Sequence, residues 1–147
     1  MQLRPEEKTA AMWCHLASLS ALIGIPMGHV VGPLVVWQMQ KNNSAFVNEH
    51  GKESLNFQLS FLLYTFAAFI ALMLFVFVFI GAGVASSANA SRPPGALLPL
   101  IFGGGLIGPF LLILFVPLID LVLTVIAAMK ASAGEHYHYP FTIRFVR

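Results

Sequence analysis

The chain has 147 residues, of which 58% are hydrophobic and only 10% are charged. Soluble globular domains contain roughly 45–50% apolar and about 25% charged residues, so this composition excludes an ordinary soluble globule. The formal net charge of +2 is too small to indicate a nucleic-acid-binding protein. Cys14 is the only cysteine of the chain, which excludes an internal disulfide.

Three long stretches of the chain carry no charged residue: 9–40, 54–91 and 93–119. About 20 consecutive apolar residues cross a bilayer as an α-helix, so these stretches predict a small integral membrane protein. The expected fold class is all-α, a polytopic membrane helical bundle in which residues 1–147 form a single domain. Residues 1–10 mix acidic and basic side chains, which is not typical of a cleaved signal peptide.

The first apolar stretch, residues 11–40, is interrupted by glycine and proline. Gly24, Pro26 and Pro33 lie within it, and a proline inside a helix removes a hydrogen bond and kinks the chain. Two halves of about 14 residues would each extend only about 21 Å, less than the hydrocarbon thickness of about 30 Å. One kinked crossing and a broken, re-entrant helical hairpin both fit this pattern, and we expect the hairpin.

Two full transmembrane helices are predicted after a polar loop at 41–53. The first helix, 54–84, is apolar on all sides and ends before a segment of glycine, serine and a Pro-Pro pair. A Gly/Ser/Pro-rich loop and the start of the next helix occupy 85–108. The second crossing covers 109–131 and is long enough to span the bilayer at about 1.5 Å per residue.

The distribution of lysine and arginine predicts the orientation. Two basic residues lie in the loop 41–53 and two in the tail 132–147, whereas the loop 85–108 contains only Arg92. The positive-inside rule therefore places the first loop and the tail in the cytoplasm and the loop 85–108 outside a bacterial inner (plasma) membrane. The N-terminus also carries basic residues and is expected in the cytoplasm, which favours the hairpin or a pair of short crossings over a single kinked helix.

The C-terminal tail alternates apolar and polar side chains near its end. Phe141, Ile143 and Phe145 are separated by polar residues, which is the period of an extended segment. We expect these aromatic side chains at the level of the lipid headgroups, with Arg144 and Arg147 meeting anionic lipid.

One charged residue, Asp120, lies inside an apolar run. We expect it near the middle of the second crossing, where an ionised carboxylate costs on the order of 3 kcal/mol by insertion scales. Such a group is protonated, paired or faces a polar cavity. Two roles stay open: relay of a proton or cation, or a structural hydrogen bond to another helix.

Four further polar residues are candidate intramembrane sites: His15, His29, Asn56 and Gln58. His15 is a candidate relay partner of Asp120, but the favoured interpretation is that each histidine hydrogen-bonds a carbonyl exposed by a nearby proline. Asn56 and Gln58 point to different faces of a helix. We expect them to cap and position the start of the predicted 54–84 helix.

Signs of metal or catalytic chemistry are weak. His136 and His138 would share one face of a strand, but only Glu135 lies near them as a third ligand. No Ser/His/Asp set, H-E-x-x-H motif or C-x-x-C motif occurs in the sequence. We therefore predict no metal site, no cofactor and no catalytic residue, and nothing in the sequence indicates an enzyme.

Four segments together resemble a known family. They are the start around Trp13, His15 and Leu16, GPLVVW at 32–37, VNEHGKESLNFQLS at 47–60 and AGEHYHYPFTIRF at 133–145. With these segments the chain resembles the bacterial domain-of-unknown-function family 4870, which is described as similar to the Tic-twenty-type import component of the chloroplast inner envelope. The resemblance covers nearly the whole chain and implies a small multi-helix membrane protein without a defined activity. That family pattern has a basic residue where His138 stands, so the resemblance does not imply a constant positive charge there.

Two hypotheses of function follow. The first is a non-enzymatic integral membrane protein that acts as an assembly or interaction module; its partners are the lipid bilayer and either further copies in a homo-oligomer or other membrane proteins. The second is a small proton or cation channel or transporter that uses Asp120 with His15 or His29. A role in protein translocation would rest on the family resemblance alone.

Overall fold

A computed structural model describes residues 3–89 and 107–147. Within these residues the chain forms helices and no β-strand, which confirms the predicted all-α class for the described part. In chain order the elements are α1 (Pro5–Leu16), a 3₁₀ helix (Ala17–Ile23), α2 (Gly28–Gln40), α3 (Ala45–Asn89) and α4 (Ile107–Ala133).

The N-terminal helix α1 starts with favourable end signals. Pro5 occupies the first helical position, where a missing N–H has no consequence. The main-chain N–H of Arg4 donates to Glu7 Oε2 at 2.8 Å, and Glu6 and Glu7 place negative charge at the positive end of the helix dipole. The chain continues as the 3₁₀ helix and turns at Gly24, whose φ of +86° favours glycine.

Helix α2 packs closely against the 3₁₀ helix because two of its glycines lack side chains. A Cβ atom at Gly28 would lie 2.6 Å from the Ala21 nitrogen, and a Cβ atom at Gly32 would collide with the Ala17 carbonyl oxygen. The segment 5–40 therefore folds back on itself as two packed helical arms, which we call the helical hairpin. Its placement relative to a membrane stays a prediction.

Helix α3 begins at Ala45, earlier than the predicted Ser54, so the predicted loop 41–53 shrinks to residues 41–44. The Ser44 hydroxyl accepts a hydrogen bond from the Val47 N–H at 3.3 Å, which caps the new helix start. The difference arises because capping and packing against α2 set the start of the helix, whereas the prediction followed the first apolar residues.

Trp37 joins α2 to the first turns of α3. Its Nε1–H donates to Asn48 Oδ1 at 2.9 Å, and its ring lies so close to Gly51 that a Cβ atom there would collide with it. The Lys41 ammonium lies 5.2 Å from the centroid of the same ring. These contacts fix the charged beginning of α3 against the hairpin.

Two helices are long and apolar enough to cross a membrane: α3 over Ala45–Ala82 and α4 over Leu114–Ala133. Both predicted crossings fall on these helices. The predicted loop 85–108 lies mostly on residues 90–106, outside the described part of the chain, and α3 continues to Asn89.

The chain divides into two compact units. The first comprises residues up to Leu63 together with Ile119–Arg147, and the second comprises Tyr64–Leu118. The buried apolar core of the first unit consists of two clusters, one of Ala11, Cys14, Phe46, Val47 and Ala131 and one of Phe57, Ala127 and Tyr139. In the second unit, large side chains such as Phe77 are exposed, as expected for a helix surrounded by lipid.

Candidate functional site

The first unit buries many polar side chains. We call this set the buried polar cluster; its members are His15, Ser18, His50, Glu53, Ser54, Asn56, Gln58, Ser60 and Thr124. Six of them come from residues 50–60 of α3. Side-chain hydrogen bonds connect six of them to one another, to the tail or to Asp120: His15, His50, Glu53, Asn56, Gln58 and Ser60. Ser54 Oγ and Thr124 Oγ1 have no hydrogen-bond partner among the described residues.

A chain of three rings connects α1, α3 and the tail. The Tyr139 hydroxyl lies 3.0 Å from His15 Nδ1, and His15 Nε2 lies 2.9 Å from His50 Nδ1. Each contact shares one proton, so donation runs along the chain in one of two directions. Phe46 packs on His50 with 4.4 Å between ring centroids, and Phe57 stacks on Tyr139 at 3.9 Å. These aromatic contacts keep water away from the hydrogen bonds.

Burial keeps the ring chain neutral. His15 lies in α1, outside the two candidate membrane spans, and is fully buried. Desolvation, followed by charge repulsion from His50, lowers the pKa of His15 to about 3. Desolvation likewise raises the pKa of Tyr139 above its ordinary value. Both groups are therefore uncharged at neutral pH.

The C-terminal tail is held against α3 through its main chain. Asn56 Oδ1 accepts from the Val146 N–H at 2.7 Å, and Asn56 Nδ2 donates to the Val146 carbonyl at 3.0 Å. Ser60 Oγ accepts from the Ile143 N–H at 2.8 Å. Side chains of α3 thus supply the hydrogen bonds that a neighbouring strand would give an extended segment.

Glu53 completes this arrangement, because its Oε1 accepts from the Tyr139 N–H at 2.8 Å. We call Glu53, Asn56 and Ser60 the tail clamp. Their spacings of three and four residues place them on one face of α3. The tail clamp and the ring chain both converge on Tyr139, whose side chain is 5% exposed.

Asp120 and Gln58 connect α4 to α3. Gln58 Nε2 donates to Asp120 Oδ1 at 3.0 Å, and Gln58 is fully buried. Asn56 and Gln58 lie well inside α3, which begins at Ala45. The expectation that they cap the start of the helix is therefore wrong. They hold the tail and α4 instead, because the helix begins several residues before them.

The two histidines of the hairpin have different surroundings. His15 bonds to Tyr139 and His50, and so contacts neither Asp120 nor a carbonyl freed by proline. His29 lies in α2, in the other arm. They differ because they lie on opposite arms of the hairpin. A functional role for either histidine stays a prediction.

Four residues of the site were missed by the sequence analysis: His50, Glu53, Ser60 and Tyr139. The assignment of 41–53 to a loop hid the first two. A helical pattern through Glu53, Asn56 and Ser60 would have indicated a polar face. The alternation in the tail gave no sign that Tyr139 is buried, since its partners come from distant parts of the chain.

A groove with a volume of about 530 Å³ opens between α3 and the tail. Its lining includes three basic side chains, Lys52, Arg144 and Arg147, and we call it the cationic groove. His136 also lines it and places Nδ1 3.1 Å from Glu49 Oε2. Among the described residues, no group of three or more His, Cys, Asp or Glu side chains is arranged to hold a metal ion.

Comparison with known proteins identifies the family of the chain. The sequence model of the magnetosome magnetite crystal formation protein family, MamF/MmsF, matches residues 6–146. No curated protein and no solved structure matches the chain.

The expected membership of the domain-of-unknown-function family 4870 is therefore wrong, and the analogy with Tic-twenty and protein translocation loses its support. The segments that carried that resemblance include His15, Asn56 and Tyr139, which hold the helices and the tail together. Residues with this structural role reflect the fold of the chain and do not by themselves distinguish one family from another. Because the match covers nearly the whole chain, this protein belongs to the magnetosome magnetite crystal formation protein family.

Proposed function

We propose that this chain is a non-enzymatic membrane module that assembles with copies of itself in the magnetosome membrane and thereby takes part in magnetite crystal formation. Membership of the family supports the location in the magnetosome membrane and the role in magnetite crystal formation. The observation that carries the self-assembly is an exposed apolar stripe on α2.

The α2 stripe consists of side chains on one helix face that are 39–74% exposed: Val31, Leu34, Val35 and Met39. Helix α2 has 13 residues, which extend about 20 Å and cannot cross a hydrocarbon core of about 30 Å. A full crossing therefore does not explain its apolar face. Contact with the same stripe of a second copy would bury it, and no charged residue between positions 9 and 40 opposes that contact.

The contact between Asp120 and Gln58 supports a structural role for the carboxyl group. Polar side chains that hydrogen-bond across helices are ordinary stabilising contacts in membrane proteins. Neither this contact nor the family adds support to the channel or transporter hypothesis. We therefore infer that Asp120 joins α4 to α3.

The length of α3 supports a specific placement in the membrane. Its 45 residues extend about 68 Å, roughly twice the hydrocarbon thickness. The charged residues of α3 lie before Phe61, and its exposed large apolar side chains follow it. We infer that residues 45–60 lie outside the hydrocarbon core, on the cytoplasmic side together with both termini.

Self-assembly is tested with the full chain in mild detergent by native mass spectrometry. We expect an oligomer for the parent protein and a monomer for the double variant Leu34→Ser/Val35→Ser. The control variant Gln38→Ser changes an exposed polar residue of the same helix and should keep the oligomer.

The same three proteins are then produced in a magnetosome-forming host that lacks its own copy, and crystal size is measured by electron microscopy. Normal crystals are expected with the parent and the control, and altered crystals with the double variant. A monomeric parent protein, or normal crystals with a monomeric variant, would contradict the proposal.

A further inference from the structure

The cationic groove is lined by three basic side chains and by the carboxylates of Glu49 and Glu53, so the formal charge of its lining is positive by one. The charged groups of Lys52, Arg144 and Arg147 form no ion pair or hydrogen bond with any described residue. Arg144 and Arg147 are exposed and Lys52 is half-buried. Three unpaired cations around one concave surface favour an anionic ligand.

The carboxylates that line the same groove are already engaged. Glu49 Oε2 lies 3.1 Å from His136 Nδ1, and Glu53 Oε1 accepts from the Tyr139 N–H at 2.8 Å. Both carboxylates keep their negative charge, but their partners are other than the three basic side chains, which remain available to a ligand.

A buried nitrogen supplies a second and independent sign of a ligand. His50 lines the groove and is 2% exposed, and its Nε2 has no hydrogen-bond partner among the described residues. The Glu135 carbonyl lies near the ring without reaching hydrogen-bonding geometry. An unsatisfied buried polar atom is destabilising, so a ligand that pairs with it would be favoured.

The ring chain can make this nitrogen a donor. If Tyr139 donates to His15 Nδ1 and His15 Nε2–H donates to His50 Nδ1, the one proton of neutral His50 lies on Nε2. The buried His50 ring then carries a neutral N–H, and three cationic side chains line the same groove.

We propose that the cationic groove binds a phosphate group, carried by a lipid headgroup or present as free phosphate. Arginine pairs with phosphate through two parallel hydrogen bonds, and lysine adds a point charge. The volume of about 530 Å³ leaves room for substituents on the phosphate. The binding site lies within one copy of the chain and does not depend on self-assembly.

Binding is measured on the full chain in neutral detergent. Phosphatidylglycerol and phosphatidylcholine are titrated by native mass spectrometry, and sodium phosphate is titrated calorimetrically against sodium chloride of equal ionic strength. We expect saturable binding of phosphatidylglycerol, of inorganic phosphate or of both. Arg144→Gln and Lys52→Gln should each weaken it about tenfold or more.

The matched control is Lys41→Gln, which removes one positive charge outside the groove, beside Trp37. It should leave the affinity within about twofold of the parent. Selective binding of phosphatidylglycerol identifies a lipid headgroup, and binding of inorganic phosphate alone identifies a soluble ligand; both support the site. Absence of saturable binding of either probe, or equal losses in Lys41→Gln and the groove variants, overturns the proposal.

Discussion

At the scale of single residues, His15 contributes most to the connection between distant segments. Its two ring nitrogens contact Tyr139 of the tail and His50 of α3, while its own main chain belongs to α1. Only the neutral ring can accept one of these hydrogen bonds and donate the other. The stability of the first unit should therefore depend on the protonation of this residue.

The sign of this pH dependence follows from the pKa of His15, which is about 3 in the folded chain and about 6.5 in an unfolded one. Below pH 6.5 the unfolded chain binds a proton that the folded chain does not, so the free energy of unfolding decreases as the pH falls. The slope approaches about 1.4 kcal/mol per pH unit, and above pH 6.5 this residue contributes no pH dependence.

We predict that the thermal midpoint of the protein in detergent falls between pH 7.5 and pH 5. His15→Gln should lower the midpoint at pH 7.5 and make its pH dependence shallower. His138→Gln removes an exposed histidine and should keep the parent slope. Equal slopes for the parent and His15→Gln would contradict this account.

At the scale of elements, the helical hairpin depends on the absence of side chains where α2 meets the 3₁₀ helix. A methyl group at Gly32 has no space, because the Ala17 carbonyl oxygen already occupies that position. By contrast, nothing lies within 4 Å of a Cβ atom built at Gly81 of α3. The same substitution should therefore have opposite effects at the two glycines.

We predict that Gly32→Ala destabilises the protein by about 1–3 kcal/mol, the usual cost of overpacking. Gly81→Ala should stabilise it by up to about 1 kcal/mol, because alanine is the better helix former. Thermal unfolding in detergent, followed by circular dichroism, measures both changes. A gain in stability with Gly32→Ala would show that α2 does not pack on the 3₁₀ helix as described.

At the scale of the whole molecule, a group of polar contacts lies in the first half of α3. The tail clamp and the partner of Asp120 all lie between Glu53 and Ser60. The continuation of the same helix exposes apolar side chains such as Phe69. This distribution predicts a hydrated end and a lipid-facing end of one continuous helix.

Cysteine labelling tests this placement in membrane vesicles. The native Cys14 is first replaced by alanine. Lys52→Cys should then react with a membrane-impermeant maleimide in inside-out vesicles but not in right-side-out vesicles. Phe69→Cys should react in neither until detergent is added. Equal labelling of the two positions in intact vesicles would rule out the proposed placement.

The helical class and the positions of the long apolar stretches could be predicted from the sequence, because hydrophobic length is a local property of the chain. The sequence also singled out Asp120, Asn56 and Gln58, since polar residues in or beside apolar runs are visible without any structure. It could not provide the partners of these residues. The four segments named above indicated a different family, and only the match over residues 6–146 identified the magnetosome family.

The pairing of the polar groups depends on how the chain folds and is visible only in three dimensions. His15 and Tyr139 are 124 residues apart in the chain and share a hydrogen bond, and the start of α3 depends on the Ser44 cap and the packing of Trp37. Buried polar atoms must find partners wherever folding brings donors and acceptors together. Long-range pairing of this kind leaves no periodic trace in a sequence, whereas burial of apolar residues does.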